Sequence, residues 1–131
     1  IGFKHDQLGF NFRMPNLNAA LLCAQLEQLE YFLKSKRELA KMYEEFFFNK
    51  GVIFRKETKN TKSNYWLMCV ELENKLEKES FLKHTNSNNI NCRPIWDLMF
   101  TLPMYKSFQK DEQKNAIFLV NRIVNIPSGV R

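Results

Sequence analysis

Glycine is scarce in this chain, four residues in 131 against an average near 7%. Gly2, Gly9, Gly51 and Gly129 stand singly. Neither a dinucleotide fingerprint nor a phosphate-cradling loop can be built from them, since both need glycines clustered where backbone meets phosphate. Cysteine is equally thin. Cys23, Cys69 and Cys92 are odd in number and widely spaced, with no Cys-x-x-Cys pair. That argues against a disulfide framework or a structural zinc site and suits a reducing, cytoplasmic compartment. His5 and His84 are the only imidazoles, too few for a self-contained nucleophilic triad or a histidine-rich metal centre. No run approaches the roughly 18 apolar residues of a membrane span, and the N-terminus lacks the basic start and apolar stretch of a signal peptide. The first residue is Ile rather than Met, so the expectation is a piece of something longer.

Hydrophobic residues make up 44% and charged residues 26%, the usage of an ordinary globular domain with a core of its own. The net charge is +6, from 20 basic and 14 acidic residues. A basic balance can serve nucleic acid. Here, however, lysine outnumbers arginine, the better base reader, and the lysines are dispersed among glutamates and asparagines. The charge reads mainly as a Lys- and Asn-rich habit, and nucleic acid is a disfavoured partner.

Residues 1–14 are loop-like. Pro15 can open a helix, where its missing N–H costs nothing. From Leu17 the apolar residues recur at helical spacing through Leu21, Leu26, Leu29, Leu33, Leu39, Met42, Tyr43 and Phe46. The pattern predicts one long helix over 15–50, with a bend near Lys34-Ser35-Lys36 and Gly51 as a left-handed cap. Such a helix suits a connection between two bodies. Residues 51–131 then read as a small domain. Strands are expected at Val52–Arg55, Asn64–Leu72, Ile90–Arg93 and Ile123–Ile126, the second covered on both faces. Helices are expected at Lys75–His84, with Leu76, Phe81 and Leu82 on its buried side, and at Asp111–Leu119. The fold class is α/β, a long helix followed by a small α+β-like sheet. Lys56 to Lys62 reads as a solvated basic loop. Tyr65, Trp66, Trp96 and Phe100 read as core packing rather than a base-stacking platform. Any exposed part of Phe46-Phe47-Phe48 would mark a covered surface.

The most informative stretch is His5-Asp6-Gln7-Leu8-Gly9-Phe10-Asn11-Phe12-Arg13-Met14-Pro15-Asn16, continuing to Ala24-Gln25-Leu26-Glu27-Gln28-Leu29. It resembles the H-(D/E)-x-x-G-(Y/F)-N-x-R-(M/L)-x-N…A-Q-L-E-x-L signature of the DegT/DnrJ/EryC1/StrS sugar aminotransferases, pyridoxal-phosphate enzymes of fold type I. Ser63-Asn64-Tyr65-Trp66, Cys92-Arg93-Pro94-Ile95-Trp96, Leu102-Pro103-Met104 and Arg122 to Ser128 resemble later segments of the same family. The R-P-I-W and L-P-M details look most like the branch acting on UDP-4-keto-6-deoxy-hexoses in legionaminic acid or bacillosamine synthesis.

The resemblance implies the C-terminal part of an enzyme that moves an amino group, from glutamate, to the 4-keto carbon of a nucleotide sugar. It implies pyridoxal 5'-phosphate as cofactor and a homodimer with sites at its interface. Asn11 would donate to the cofactor phosphate across that interface, because a short amide positions a phosphate whose charge other groups balance, and Arg13 would pair with the phosphate or an interfacial carboxylate. His5, Arg93 and Trp96 are the candidate substrate contacts. Each residue also has a bland reading: a turn residue for Asn11, an ion pair for Arg13 or Arg93, a surface or satisfied loop residue for His5. Phe100 stands where the family has histidine. The Schiff-base lysine lies upstream of this signature in the family, so no catalytic residue is assigned and the chain alone is expected to be inactive. The competing reading is a non-catalytic α/β interaction module that pairs through its long amphipathic helix.

Overall fold

The computed structural model describes residues 4–130. Where one long helix is expected, two occur: α1 at Asn16–Leu26 and α2 at Leu29–Phe48. Pro15 caps the first, its carbonyl accepting the Ala19 N–H at 3.0 Å. The break falls at Gln28, not near Ser35. The Gln28 N–H bonds to the Gln25 carbonyl at 3.2 Å, a tightened three-residue turn that leaves Gln28 outside helical geometry (φ −107°, ψ 6°). Helix α2 stops where glycine permits. Gly51 adopts φ +69°, and the Val52 N–H returns to the Phe47 carbonyl at 3.1 Å.

Four short strands form one antiparallel sheet: β1 (Ile53–Phe54), β2 (Met68–Glu71), β3 (Arg93–Pro94) and β4 (Ile123–Ile126), in the order β1-β2-β4-β3. Strand β4 runs opposite to both β2 and β3, with Val70 opposite Val124 and Arg93 opposite Asn125. The unit β2–α3–β3, with α3 at Lys75–Ser87, is therefore a split β-α-β whose middle is filled by the last strand. A short helix α4 (Lys114–Val120) precedes β4, and two 3-10 turns, Met99–Thr101 and Pro103–Tyr105, carry the aromatic segment between β3 and α4.

Two expected strands and one expected helix are shortened for local reasons. Strand β2 begins only at Met68, because Tyr65 sits in the left-handed region (φ 48°), while the side chains of Ser63 and Asn64 accept the Tyr65 and Trp66 N–H groups at 3.0 Å. Its faces are unequal: Met68 and Val70 are buried, Cys69 and Glu71 half-buried. Ile90–Cys92 folds back on itself, with the Cys92 N–H on the Ile90 carbonyl at 2.9 Å, so β3 starts at Arg93. It tolerates Pro94 because it is an edge strand. Helix α4 starts at Lys114 rather than Asp111, since Gln113 is left-handed and its N–H is held by the Asp111 carboxylate at 2.9 Å.

The core lies between the sheet and α2, with Met68, Val70, Val124, Ile126, Phe54 and Cys92 meeting Leu39, Ala40 and Phe47. Helix α3 is fixed at its start by Asn74, whose side chain accepts the Glu77 N–H at 3.0 Å while Glu77 accepts the Glu73 N–H at 3.2 Å. Phe81 and Leu82 pack on the core. Leu76, expected beside them, is exposed; it lies in the first turn, ahead of the stretch that meets the core.

Candidate functional site

Arg93 and Trp96 line one cavity of about 560 Å³, together with Trp66, Lys36, Asp97 and Ser128. Strand β3 brings Arg93 and Pro94 to this edge, and Ile95 and Trp96 continue along the cavity. Trp66 follows directly on the left-handed turn at Tyr65. The two indoles lie 6.0 Å apart at 33°, and both are largely exposed, 67% for Trp66 and 56% for Trp96. Trp66 and Trp96 thus form a wall open to solvent rather than the core packing expected for them. Phe100 is half-buried and carries the Lys110 ammonium 4.4 Å from its ring centre, a cation–π contact in place of any polar contact a histidine would make.

The cavity is cationic. Arg93 makes no ion pair among those described. The Lys36 ammonium donates to the carbonyls of Tyr65 (3.3 Å), Trp66 (3.4 Å) and Ser128, and partial burial pushes its pKa below the usual lysine value. Asp97 is the one carboxylate lining the cavity, and it lies within electrostatic reach of Lys78. Lys36 is the residue that sequence reasoning missed. Its partners are main-chain carbonyls 29, 30 and 92 residues away, and no side-chain motif signals that.

His5, Asn11 and Arg13 are exposed and do not line this cavity. Arg13 is left-handed (φ 64°), and its N–H is held by the Asn11 side-chain oxygen at 2.8 Å. The Asn11 carboxamide therefore keeps its NH2 group as a donor. The rest of this segment is apolar and uncovered: Phe10 and Phe12 are each 89% exposed, and α1 buries no residue at all. Phe46 and Phe48 are also exposed, while Phe47 is core. An exposed apolar surface of this extent marks an interaction surface.

Two charges of the basic loop are engaged within the fold. Lys56 pairs with Glu44 at 2.6 Å. Glu57 receives both Arg37 guanidinium nitrogens, at 3.3 and 3.2 Å, and the Ser63 N–H at 2.7 Å. Among the described residues no cluster of His, Cys, Asp or Glu could hold a metal ion, and no helix is long and apolar enough to cross a membrane.

The profile of the DegT/DnrJ/EryC1/StrS aminotransferase family matches residues 2–131. The chain is 36% identical over 128 residues to GDP-perosamine synthase of Escherichia coli O157:H7, a match covering 96% of this chain and 34% of that protein. It therefore spans about a third of that relative's length. Among solved structures, the fold matches the sugar aminotransferase CalS13 from Micromonospora echinospora with a TM-score of 0.75 at 17% identity, over 92% of this chain and 32% of that one. It also matches E. coli GDP-4-keto-6-deoxy-D-mannose-3-dehydratase with bound hydrated PLP, with a TM-score of 0.72 at 18% identity, over 97% and 34%. The chain belongs to the DegT/DnrJ/EryC1/StrS aminotransferase family.

Proposed function

We propose that this chain is the C-terminal part of a pyridoxal-phosphate-dependent aminotransferase that moves an amino group from glutamate to the 4-keto carbon of a nucleotide-linked deoxy sugar. Residues 1–14 serve as the interface loop, 15–50 as the connection and 51–131 as the small domain. The observation that carries the reading is the single cavity in which Arg93 and Lys36, two cations, meet the paired indoles of Trp66 and Trp96. An anionic ligand with a flat or ring-shaped portion fits that chemistry: guanidinium for phosphate, aromatic faces for a base or sugar.

The cofactor supplies an electron sink for the carbon that gains or loses the amino group. Asn11 and Arg13 have the donors to hold its phosphate, and the exposed Phe10, Phe12 and α1 surface is the side on which a second copy would seat. His5 belongs to the same segment, as a substrate contact. No lysine here stands in a context matching the family's Schiff-base position, so the chain contributes phosphate and substrate contacts but no covalent catalyst, and by itself it is inactive. The E. coli relative's name specifies GDP, while the R-P-I-W detail resembles the UDP-using branch. Titration with both nucleotides decides between them.

The test is the intact mass of the protein from its native source after borohydride reduction. The expected result is a mass well above 15.7 kDa with a phosphopyridoxyl group on a lysine outside residues 1–131. A native mass of 15.7 kDa with no adduct overturns the enzyme reading and favours an interaction module pairing through the exposed face of α1.

A further inference from the structure

Lys36 differs from the lysines that form ion pairs, and like Lys78, which donates to the Val120 carbonyl, it is held by main chain. Lys56, Lys75 and Lys114 each meet a carboxylate. Lys36 meets three neutral carbonyls and no carboxylate among the described ion pairs. Three acceptors use all three N–H groups of an ammonium, so its orientation is settled, yet its charge is not cancelled by a counter-ion. The acceptors come from two separate segments. Trp66, which follows Tyr65, lines the cavity from one segment, and Ser128 lines it from the other.

The turn that presents the first two carbonyls is itself unusual. Tyr65 is a bulky residue in the left-handed region, a conformation that persists only when its surroundings over-determine it. Lys36 supplies part of that determination, along with the side chains of Ser63 and Asn64. The Ser128 segment is held from below by its hydroxyl, which accepts the Met68 N–H at 2.8 Å. Removing the Lys36 ammonium would leave the Ser128–Met68 hydrogen bond as the tie between the two segments and strip one of two cations from the cavity.

We propose that Lys36 is a positioning residue of this cavity: its ammonium fixes the Trp66 wall against the Ser128 wall and adds uncancelled positive charge for the anionic group that Arg93 binds. The role rests on the nucleotide-sugar reading of the cavity and goes beyond it by assigning a residue of the connecting helix to ligand recognition. A purely structural staple is the competing account, and charge distinguishes the two.

K36M and K36R variants, made in the protein at its native length, are titrated calorimetrically with GDP and with UDP, and folding is checked by circular dichroism. For the nucleotide that binds, K36M weakens affinity about ten-fold at low salt, K36R restores it to within about three-fold, and the K36M deficit shrinks at high salt as a screened charge effect must. If K36M does not fold, K36R decides: wild-type affinity with a wild-type salt slope supports the role, and a folded K36R about ten-fold weaker overturns it. A folded K36M that binds within about two-fold of wild type also overturns it. So does a K36M deficit that is unchanged by salt and shared by K36R, which would make Lys36 a staple. If wild type binds neither GDP nor UDP, the reading of the cavity falls, and the role of Lys36 with it.

Discussion

The hydroxyl of Ser128 accepts the Met68 N–H at 2.8 Å across 60 residues of sequence, and donates in turn to the Ile126 carbonyl at 2.7 Å. One side chain thus closes the end of the β2–β4 ladder and holds the segment that borders the cavity. S128A leaves the Met68 amide without its acceptor. A loss of about 1–3 kcal/mol is expected, because a buried donor is stranded, and a shift in urea midpoint at unchanged slope measures it. Full wild-type stability would mean that water replaces the hydroxyl there.

Met68 itself is fully buried, 0% exposed, in the middle of the core. M68A removes a long side chain from a site walled by β2, β4 and α2, and a cost of about 2–5 kcal/mol is expected. The midpoint of chemical unfolding reads it. A cost below about 1 kcal/mol would mean that the sheet and α2 collapse into the space.

Glu57 predicts an acid-sensitive loop. The Ser63 N–H, and then the Arg37 guanidinium, hold its carboxyl below the ordinary 4.5. A depressed carboxylate contributes stability that is present above its unfolded pKa and lost as pH falls through the folded one. Melting temperature should therefore fall more steeply below about pH 4.5 in wild type than in E57Q, which has no carboxylate to protonate there. Parallel curves for the two proteins would remove Glu57 from the acid response.

The three thiols should separate by access. Cys23 is exposed, Cys69 is half-buried and its thiol pushed up by burial, and Cys92 is buried. Iodoacetamide at neutral pH should label Cys23 first and Cys69 slowly, with Cys92 reacting only on unfolding, because the thiolate is the nucleophile. Mass spectrometry of timed samples follows the order. Early labelling of Cys92 would show that β3 opens readily.

The two tryptophans of this chain both border the cavity, so its emission reports on the candidate site directly. Acrylamide should quench both in the free 131-residue chain, given their exposure, and a bound nucleotide should lower the quenching constant. W96F should retain the Trp66 part of that protection. A quenching constant indifferent to saturating nucleotide would place the ligand away from the indoles.

Features set by neighbours in sequence are legible in the sequence itself. Gly51 at the end of α2, the Lys75 start of α3 and the whole of β4 depend on a few adjacent residues. The resemblance carried by His5 to Leu29 is equally local, and it pointed to the family. What sequence hid was competition between local and distant partners. Apolar Tyr65-Trp66-Leu67 reads as strand, but Ser63 and Asn64 capture the amides a strand would use, and Lys36 takes the Tyr65 and Trp66 carbonyls. Lys36 itself was invisible as a site residue, since a lysine bonded to carbonyls leaves no trace in residue types. The wall formed by Trp66 and Trp96 was misread for the related reason that exposure is not written in an indole. Helix α1 shows the opposite case: its apolar residues were legible, while what covers them is not encoded within the chain's own packing.

Strand β4 comes last among the described strands and occupies the middle of the sheet, where it pairs with both β2 and β3. On a ribosome, β1 and β2 can pair as soon as they emerge, but β3 has no partner until residue 126 has cleared the exit tunnel. The Arg93 edge is thus assembled last, and the cavity it borders forms only with closure of the sheet. Such long-range closure is slow compared with local helix formation. A nascent chain halted before Ile123 would hold helices and one hairpin edge but no cavity.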